Sequence, residues 1–180
     1  MYLMYQIIAQ GFGILASILI IFSFQMKDNR WLFVLHGLGG LLFAVNYFML
    51  GAYTGAILNI LSFLRGCCLY VGGKMSKPWS CMVFCIAFVC VGYFTYDGIL
   101  SALTVVSMIA VTIAMWARSG KAIRLTNFFV SSPSWLAYNI HNNTIGGVVT
   151  EVFSIISVIV SFVRFGFDGF NDTGKKEKAE

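Results

Sequence analysis

The chain contains seven stretches of about 20 mostly apolar residues, each long enough to cross the hydrocarbon core of a bilayer as an α-helix. They cover residues 6–26, 31–50, 54–72, 79–96, 99–117, 122–141 and 144–165. Hydrophobic residues make up 59% of the chain and charged residues 11%, which is too little charge to cover the surface of a water-soluble globule. The sequence therefore predicts an all-α integral membrane protein with seven transmembrane helices.

All twelve lysine and arginine residues lie in or beside alternate gaps between these stretches. They are Lys27, Arg30, Arg65, Lys74, Lys77, Arg118, Lys121, Arg124, Arg164, Lys175, Lys176 and Lys178. The intervening gaps, around residues 51–53, 96–98 and 141–143, carry no basic residue. Because short basic loops are retained on the cytoplasmic side of a membrane, we expect the N-terminus outside and the C-terminus in the cytoplasm.

A weak internal repeat relates the second and third stretches to the sixth and seventh. The alignment pairs Asn46 with Asn139, Gly55 with Gly147 and Asn59 with Glu151. Each half also has a basic turn and a helix interrupted near its middle. These shared features predict two parallel three-helix repeats joined by a linker helix, a 3+1+3 arrangement. The expected units are a first triple-helix bundle at 1–72, linker helix 4 at 73–98, a second bundle at 99–167 and a disordered cytoplasmic tail at 168–180.

Three short motifs carry a resemblance to a known family. Through KDNRW, HGLGG and SWLAYN, the chain resembles the YgjV-type bacterial inner-membrane proteins, which are grouped with the SWEET and PQ-loop (MtN3-like) superfamily. The resemblance implies a SWEET-like transporter fold in the bacterial inner (plasma) membrane. One departure concerns proline: the superfamily typically has it in the first helix of each triplet, and neither 6–26 nor 99–117 contains one.

Glu151 is the only carboxylate placed well inside a predicted span. Charged groups at such depth are costly to insert and commonly mark the path of a substrate, an ion or a proton. Asn59 lies at nearly the same depth in the third helix. We therefore expect Asn59 and Glu151 to bind substrate, and the resemblance to SWEET carriers implies polar binding residues in these same two helices. Interhelical hydrogen bonding is the structural alternative.

Three further residues are candidates for the same site. Asn46 and Asn139 enter its layer from the second and sixth helices, although both are close enough to helix ends to act as caps. Trp135 lies inside the sixth helix, away from the interfacial belt that tryptophan usually occupies. The resemblance implies that an aromatic residue at this level closes over the substrate. Packing bulk is the alternative for Trp135.

Two interruptions are expected to gate access to the site. HGLGG, at residues 36–40, and SSPS, at 131–134, fall at corresponding points of the two repeats. Matched interruptions often mark the centre of a transporter, and close helix packing is the alternative. The gating candidates are His36, Gly39, Gly40 and Pro133.

These patterns favour a transporter or facilitator of a small polar solute that works by alternating access, with coupling to protons left open. One acid with no buried basic partner in the site predicts a neutral or cationic solute rather than an anion. The alternative is a non-transporting ligand receptor or scaffold. No catalytic, nucleotide-binding or metal-binding motif is present, so we expect no enzyme activity, cofactor, metal or nucleic-acid partner. Expected partners are membrane lipid and a small-molecule solute, and homo-oligomers remain open.

Overall fold

The structure is a computed structural model that describes residues 2–23, 29–73, 77–117 and 120–165. Its elements are α1 (Tyr2–Ser23), α2 (Asn29–Met49), α3 (Tyr53–Val71), α4 (Pro78–Phe94), α5 (Ile99–Trp116), α6 (Gly120–Thr126), a π-helical segment (Asn127–Ser131), α7 (Ser132–His141) and α8 (Ile145–Phe165). The segments from Gly120 to His141 run on as one helix, so the described residues form the seven predicted helices. The predicted tail, 168–180, lies outside the described residues.

Several of these helices have the length and composition of membrane spans. Residues 3–23, 53–71 and 99–116 are long and apolar enough to cross a bilayer, and 34–49, 78–94 and 145–160 are shorter apolar helices. Many large apolar side chains face outward, including Tyr93, Phe94 and Val163. An apolar exterior on a helical bundle suits a hydrocarbon solvent, because every helix satisfies its own backbone groups.

The second helix is continuous, so the predicted interruption at HGLGG is wrong. α2 runs without a break from Asn29 to Met49. Its glycines serve close packing instead: a Cβ on Gly39 would lie 2.6 Å from Cγ1 of Ile20, and one on Gly37 would lie 2.9 Å from the ring of Phe63. Glycine thus lets both α1 and α3 approach the backbone of α2.

The sixth helix does change geometry at SSPS. Its π-helical segment ends at Ser131, two residues before Pro133. Proline has no N–H and clashes with the preceding turn, and the wider π turn makes room for this. The hydroxyl of Ser134 donates to the carbonyl of Val130 (2.6 Å), which satisfies one backbone group of the distorted turn.

Helix packing follows a closed order. α1 packs on α2, α2 on α3, α3 on α5, α5 on the sixth helix, α7 on α8, and α8 back on α1, while α4 packs against α3 and α5. The seam between α1 and α8 is held by Gln10, whose amide donates to the carbonyl of Asn143 (2.6 Å) and accepts from the N–H of Ile145 (3.1 Å). We call the end of the bundle with the turns at 50–52, 95–98 and 142–144 the outer end.

The orientation of the bundle can be tested by cysteine labelling. In a background without the five native cysteines, Tyr96→Cys at the outer end should react with a membrane-impermeant maleimide in intact cells. Gly120→Cys should react only after the membrane is permeabilised, because the basic gaps predict that it faces the cytoplasm. The reverse pattern would invert the topology.

Candidate functional site

Four aromatic side chains meet across α2 and α7 near the outer end: Phe43, Tyr47, Trp135 and Tyr138, here called the outer aromatic cluster. The ring of Tyr47 lies 5.8 Å from that of Trp135 and 5.9 Å from that of Tyr138, and Trp135 lies 5.8 Å from Tyr138. Tyr47 is 2% exposed and Trp135 is 5% exposed. Such edge and tilted contacts add to the stability gained by burial. The cluster packs α2 against α7 at this level.

Two hydrogen bonds fix the outer aromatic cluster to its neighbours. The hydroxyl of Tyr47 donates to Oδ1 of Asn139, which joins α2 to α7. The backbone N–H of Gly55 donates to the hydroxyl of Tyr138 (3.0 Å), which joins α3 to α7. Both tyrosines therefore hold the first half of the chain against the second.

The two paired asparagines of the repeat are both buried but have different surroundings. Asn139 packs on Gly147 of α8: a Cβ added to that glycine would lie 2.4 Å from the side-chain amide of Asn139. Because Asn139 also accepts the hydrogen bond from Tyr47, it connects α2, α7 and α8. Nδ2 of Asn46 donates to the carbonyl of Ala9 (2.7 Å). Asn46 therefore faces α1, away from the outer aromatic cluster, whereas Asn139 is part of its support.

Asn59 lies one turn further from the outer end than Gly55. Its Nδ2 donates to the carbonyl of Gly55 (2.9 Å). The Oδ1 of Asn59 faces Gly40 of α2. A Cβ added to Gly40 would lie 3.8 Å from this oxygen. Asn59 is partly buried, and the absence of a side chain at Gly40 leaves the amide oxygen unobstructed from that direction.

Glu151 enters the same region from α8. It is partly buried and hydrogen-bonded to the side chain of Ser132, the first residue of α7. It also lies within electrostatic range of Tyr47. Glu151 is therefore on the inner side of the outer aromatic cluster, and Ser132, directly after the π-helical segment, supplies its hydroxyl partner.

The predicted gating residues are placed differently from one another. His36 shares a face of α2 with Gly40, Phe43 and Tyr47, at helical spacings of four, three and four. Its side chain is exposed, with Nδ1 3.5 Å from the hydroxyl of Ser23. Gly39 is buried against α1, and the side chain of Pro133 is exposed on the outside of the sixth helix. Their gating roles stay predictions.

Sequence reasoning missed three residues of this region and one buried residue elsewhere in the bundle. Tyr47, Tyr138 and Ser132 gave no signal beyond their type, because which face of a helix they occupy depends on the packing. Arg65 did give a signal, since it lies inside the predicted span 54–72. It is buried within α3 and contacts α5 rather than Glu151, so the expected preference for a neutral or cationic solute stays a prediction.

Comparisons with known proteins agree on one family. The sequence profile of the family Imp-YgjV, described as bacterial inner membrane protein, matches residues 7–168. The inner membrane protein YgjV of Escherichia coli (strain K12) is 23% identical over 158 residues, which cover 88% of this chain and 84% of that protein. No solved structure matches. The predicted relationship to the YgjV-type proteins is thus confirmed, the link to the SWEET and PQ-loop superfamily stays a prediction, and the chain belongs to the YgjV family of bacterial inner membrane proteins.

Proposed function

We propose that the chain is a transporter or facilitator of a small polar solute that works by alternating access between two three-helix units. The observation that carries the proposal is the packing order. If α1, α2 and α3 correspond to α5, the sixth helix and α8, each contact in one half has a counterpart in the other. The contact of α3 with α5 corresponds to that of α8 with α1. Two parallel repeats related by a twofold axis would produce this order, with α4 as a linker outside it.

The proposed site lies between the two units, on the inner side of the outer aromatic cluster. Asn59 and Glu151 are its polar binding groups, Trp135 covers it from the outer side, and Asn139 holds the cover in place through Tyr47. Asn46 is left out, because its amide is engaged with α1. The exposure of His36 on the same face of α2 supports an opening at the opposite end. Opening the outer end requires the bonds of Tyr47 and Tyr138 to break.

The chemistry of the site favours a solute with hydroxyl or amino groups. A carboxylate accepts hydrogen bonds, and the amide of Asn59 can both donate and accept. Glu151 can also carry a proton, so coupling to a proton gradient is part of the proposal. Because Arg65 is buried elsewhere in the bundle, the net charge of the whole solute is not fixed by Glu151 alone.

The proposal is tested by binding and flux together. Sugars, amino acids and vitamins are first screened for solutes that raise the melting temperature of the purified protein. A stabilising solute should then show counterflow into proteoliposomes. Trp135→Ala should reduce both the stabilisation and the flux about tenfold or more, whereas Tyr93→Ala, on the lipid-facing surface, should leave both unchanged. Specific binding without flux would support a receptor or scaffold instead.

A further inference from the structure

Arg65 is the buried cation of this bundle among the residues that the structure describes. It projects from α3 to the junction with α4 and α5 and is 5% exposed. Its Nη1 donates to Oγ1 of Thr112 (2.6 Å) and lies 3.4 Å from the carbonyl oxygen of Met108. Its Cζ lies 5.6 Å from the ring centroid of Phe88. One side of the guanidinium is therefore anchored on both neighbouring helices.

The charge of Arg65 is not balanced by these contacts. Within the described ranges, no carboxylate forms an ion pair with it, and its buried Nε has no hydrogen-bond partner. A hydroxyl, a carbonyl and an aromatic face contribute partial charges only. Burying a full charge without an opposite charge is strongly unfavourable, so intramembrane cations usually have an anionic partner or a function.

The edge of the guanidinium that carries the unpaired Nε has a defined shape. Nε and Nη2 point to one side of the planar group and present two parallel N–H donors. That edge fits two oxygens of one carboxylate or phosphate group in a bidentate arrangement. Nη1 is engaged with Thr112 and Met108. These contacts fix the orientation of the guanidinium and leave the Nε and Nη2 donors for the ligand.

Among the described residues, the groups within electrostatic range of Arg65 are one imidazole and two thiols. His36, with its exposed side chain, lies within electrostatic range, as do the thiols of Cys81 and Cys85. These neighbours include no carboxylate that would repel the ligand.

We propose that Arg65 forms an oxyanion-binding site at the junction of α3, α4 and α5, where a carboxylate or phosphate group binds the Nε and Nη2 edge. The site is separate from Glu151. At 1.5 Å per residue, Arg65 lies about 18 Å along α3 from its outer end, and Glu151 lies about 9 Å along α8 from the same end. The proposal of an oxyanion site does not depend on the proposed transport function, because its test measures binding of an anion and not flux.

The test is a titration of the purified full-length protein in lipid-free detergent. Sodium acetate and sodium phosphate are compared with sodium chloride at equal ionic strength, and the melting temperature is recorded. At least one oxyanion should raise it saturably, by about 3 °C or more above chloride. A larger rise with acetate would indicate that the site prefers a carboxylate, and a larger rise with phosphate would indicate that it prefers a phosphate group. An equal Arg65-dependent rise with added phosphatidylglycerol would identify a lipid headgroup phosphate as the source.

Variants decide whether Arg65 carries the effect. Arg65→Met should abolish the saturable rise. Arg65→Lys keeps the charge but not the two-donor edge, so the half-saturating concentration should increase about tenfold or more. Arg124→Gln, which removes a cation of α6 instead, should titrate like the wild type. The proposal is overturned if no oxyanion differs from chloride in the wild type. It is also overturned if Arg65→Lys has the same half-saturating oxyanion concentration as the wild type. This second criterion decides the matter even if Arg65→Met does not fold.

Discussion

Gly146→Ala is expected to lower the melting temperature of the protein markedly, because it forces apart the contact between α1 and α8. A Cβ on Gly146 would lie 2.1 Å from the carbonyl oxygen of Gly13 and 2.3 Å from its carbonyl carbon. Both atoms belong to the backbone, which cannot move aside as a flexible side chain can. Ser17 would also lose its hydrogen bond to the carbonyl of Gly146 (2.6 Å). Overpacking of this kind costs about 1–3 kcal/mol or more.

The matched control is Gly11→Ala in α1. No atom lies within 4 Å of a Cβ built on Gly11, and alanine favours a helix over glycine by about 1 kcal/mol. Gly11→Ala should therefore leave the melting temperature unchanged or raise it slightly. Thermal unfolding of the two variants in the same detergent compares them directly. Equal melting temperatures would show that α1 and α8 are not in contact as described.

Glu151→Ala is expected to abolish solute uptake, and Glu151→Gln is expected to separate exchange from accumulation. Glutamine keeps the size and hydrogen bonding of the side chain but cannot carry a proton for coupling. The Gln variant should therefore exchange solute across a proteoliposome membrane and fail to accumulate it against a gradient. Both activities are measured side by side under an imposed proton gradient.

The control for Glu151 is another acid, Asp97, which is exposed in an outer turn. Asp97→Asn removes one negative charge without touching the proposed site, so exchange and accumulation should both persist. If Glu151→Gln accumulates solute as well as the wild type, Glu151 is not a coupling group. If Glu151→Ala also transports normally, its bond to Ser132 serves packing and the proposed site loses its main binding group.

The helices could be predicted from the sequence, because hydropathy and length suffice to recognise apolar spans. All seven were found within a few residues of their ends. HGLGG was misjudged for a physical reason: glycine both weakens a helix and allows close packing, and the choice depends on the neighbours. Gly39 meets Ile20, and this contact cannot be derived from the spacing of residues within α2.

The candidate site was only partly accessible to sequence reasoning. Glu151 is conspicuous because a carboxylate within an apolar stretch is rare, and Trp135 because of its depth. Tyr47 and Tyr138 are not, since their importance lies in bonds to residues distant in the chain, Asn139 and Gly55. Arg65 was assigned to the cytoplasmic gap by its charge, whereas tertiary packing brings it against Thr112.

The seam at Gln10 also bears on how the chain assembles. Of the helices that the structure describes, α1 is synthesised first and α8 last, yet the two pack against each other. The closed order of helices can therefore form only after α8 has entered the membrane. Until then, the amide of Gln10 and the backbone of Gly13 face lipid or another helix. Ring closure is thus the natural final step of folding, and contacts between the most distant parts of a chain are generally slow to form.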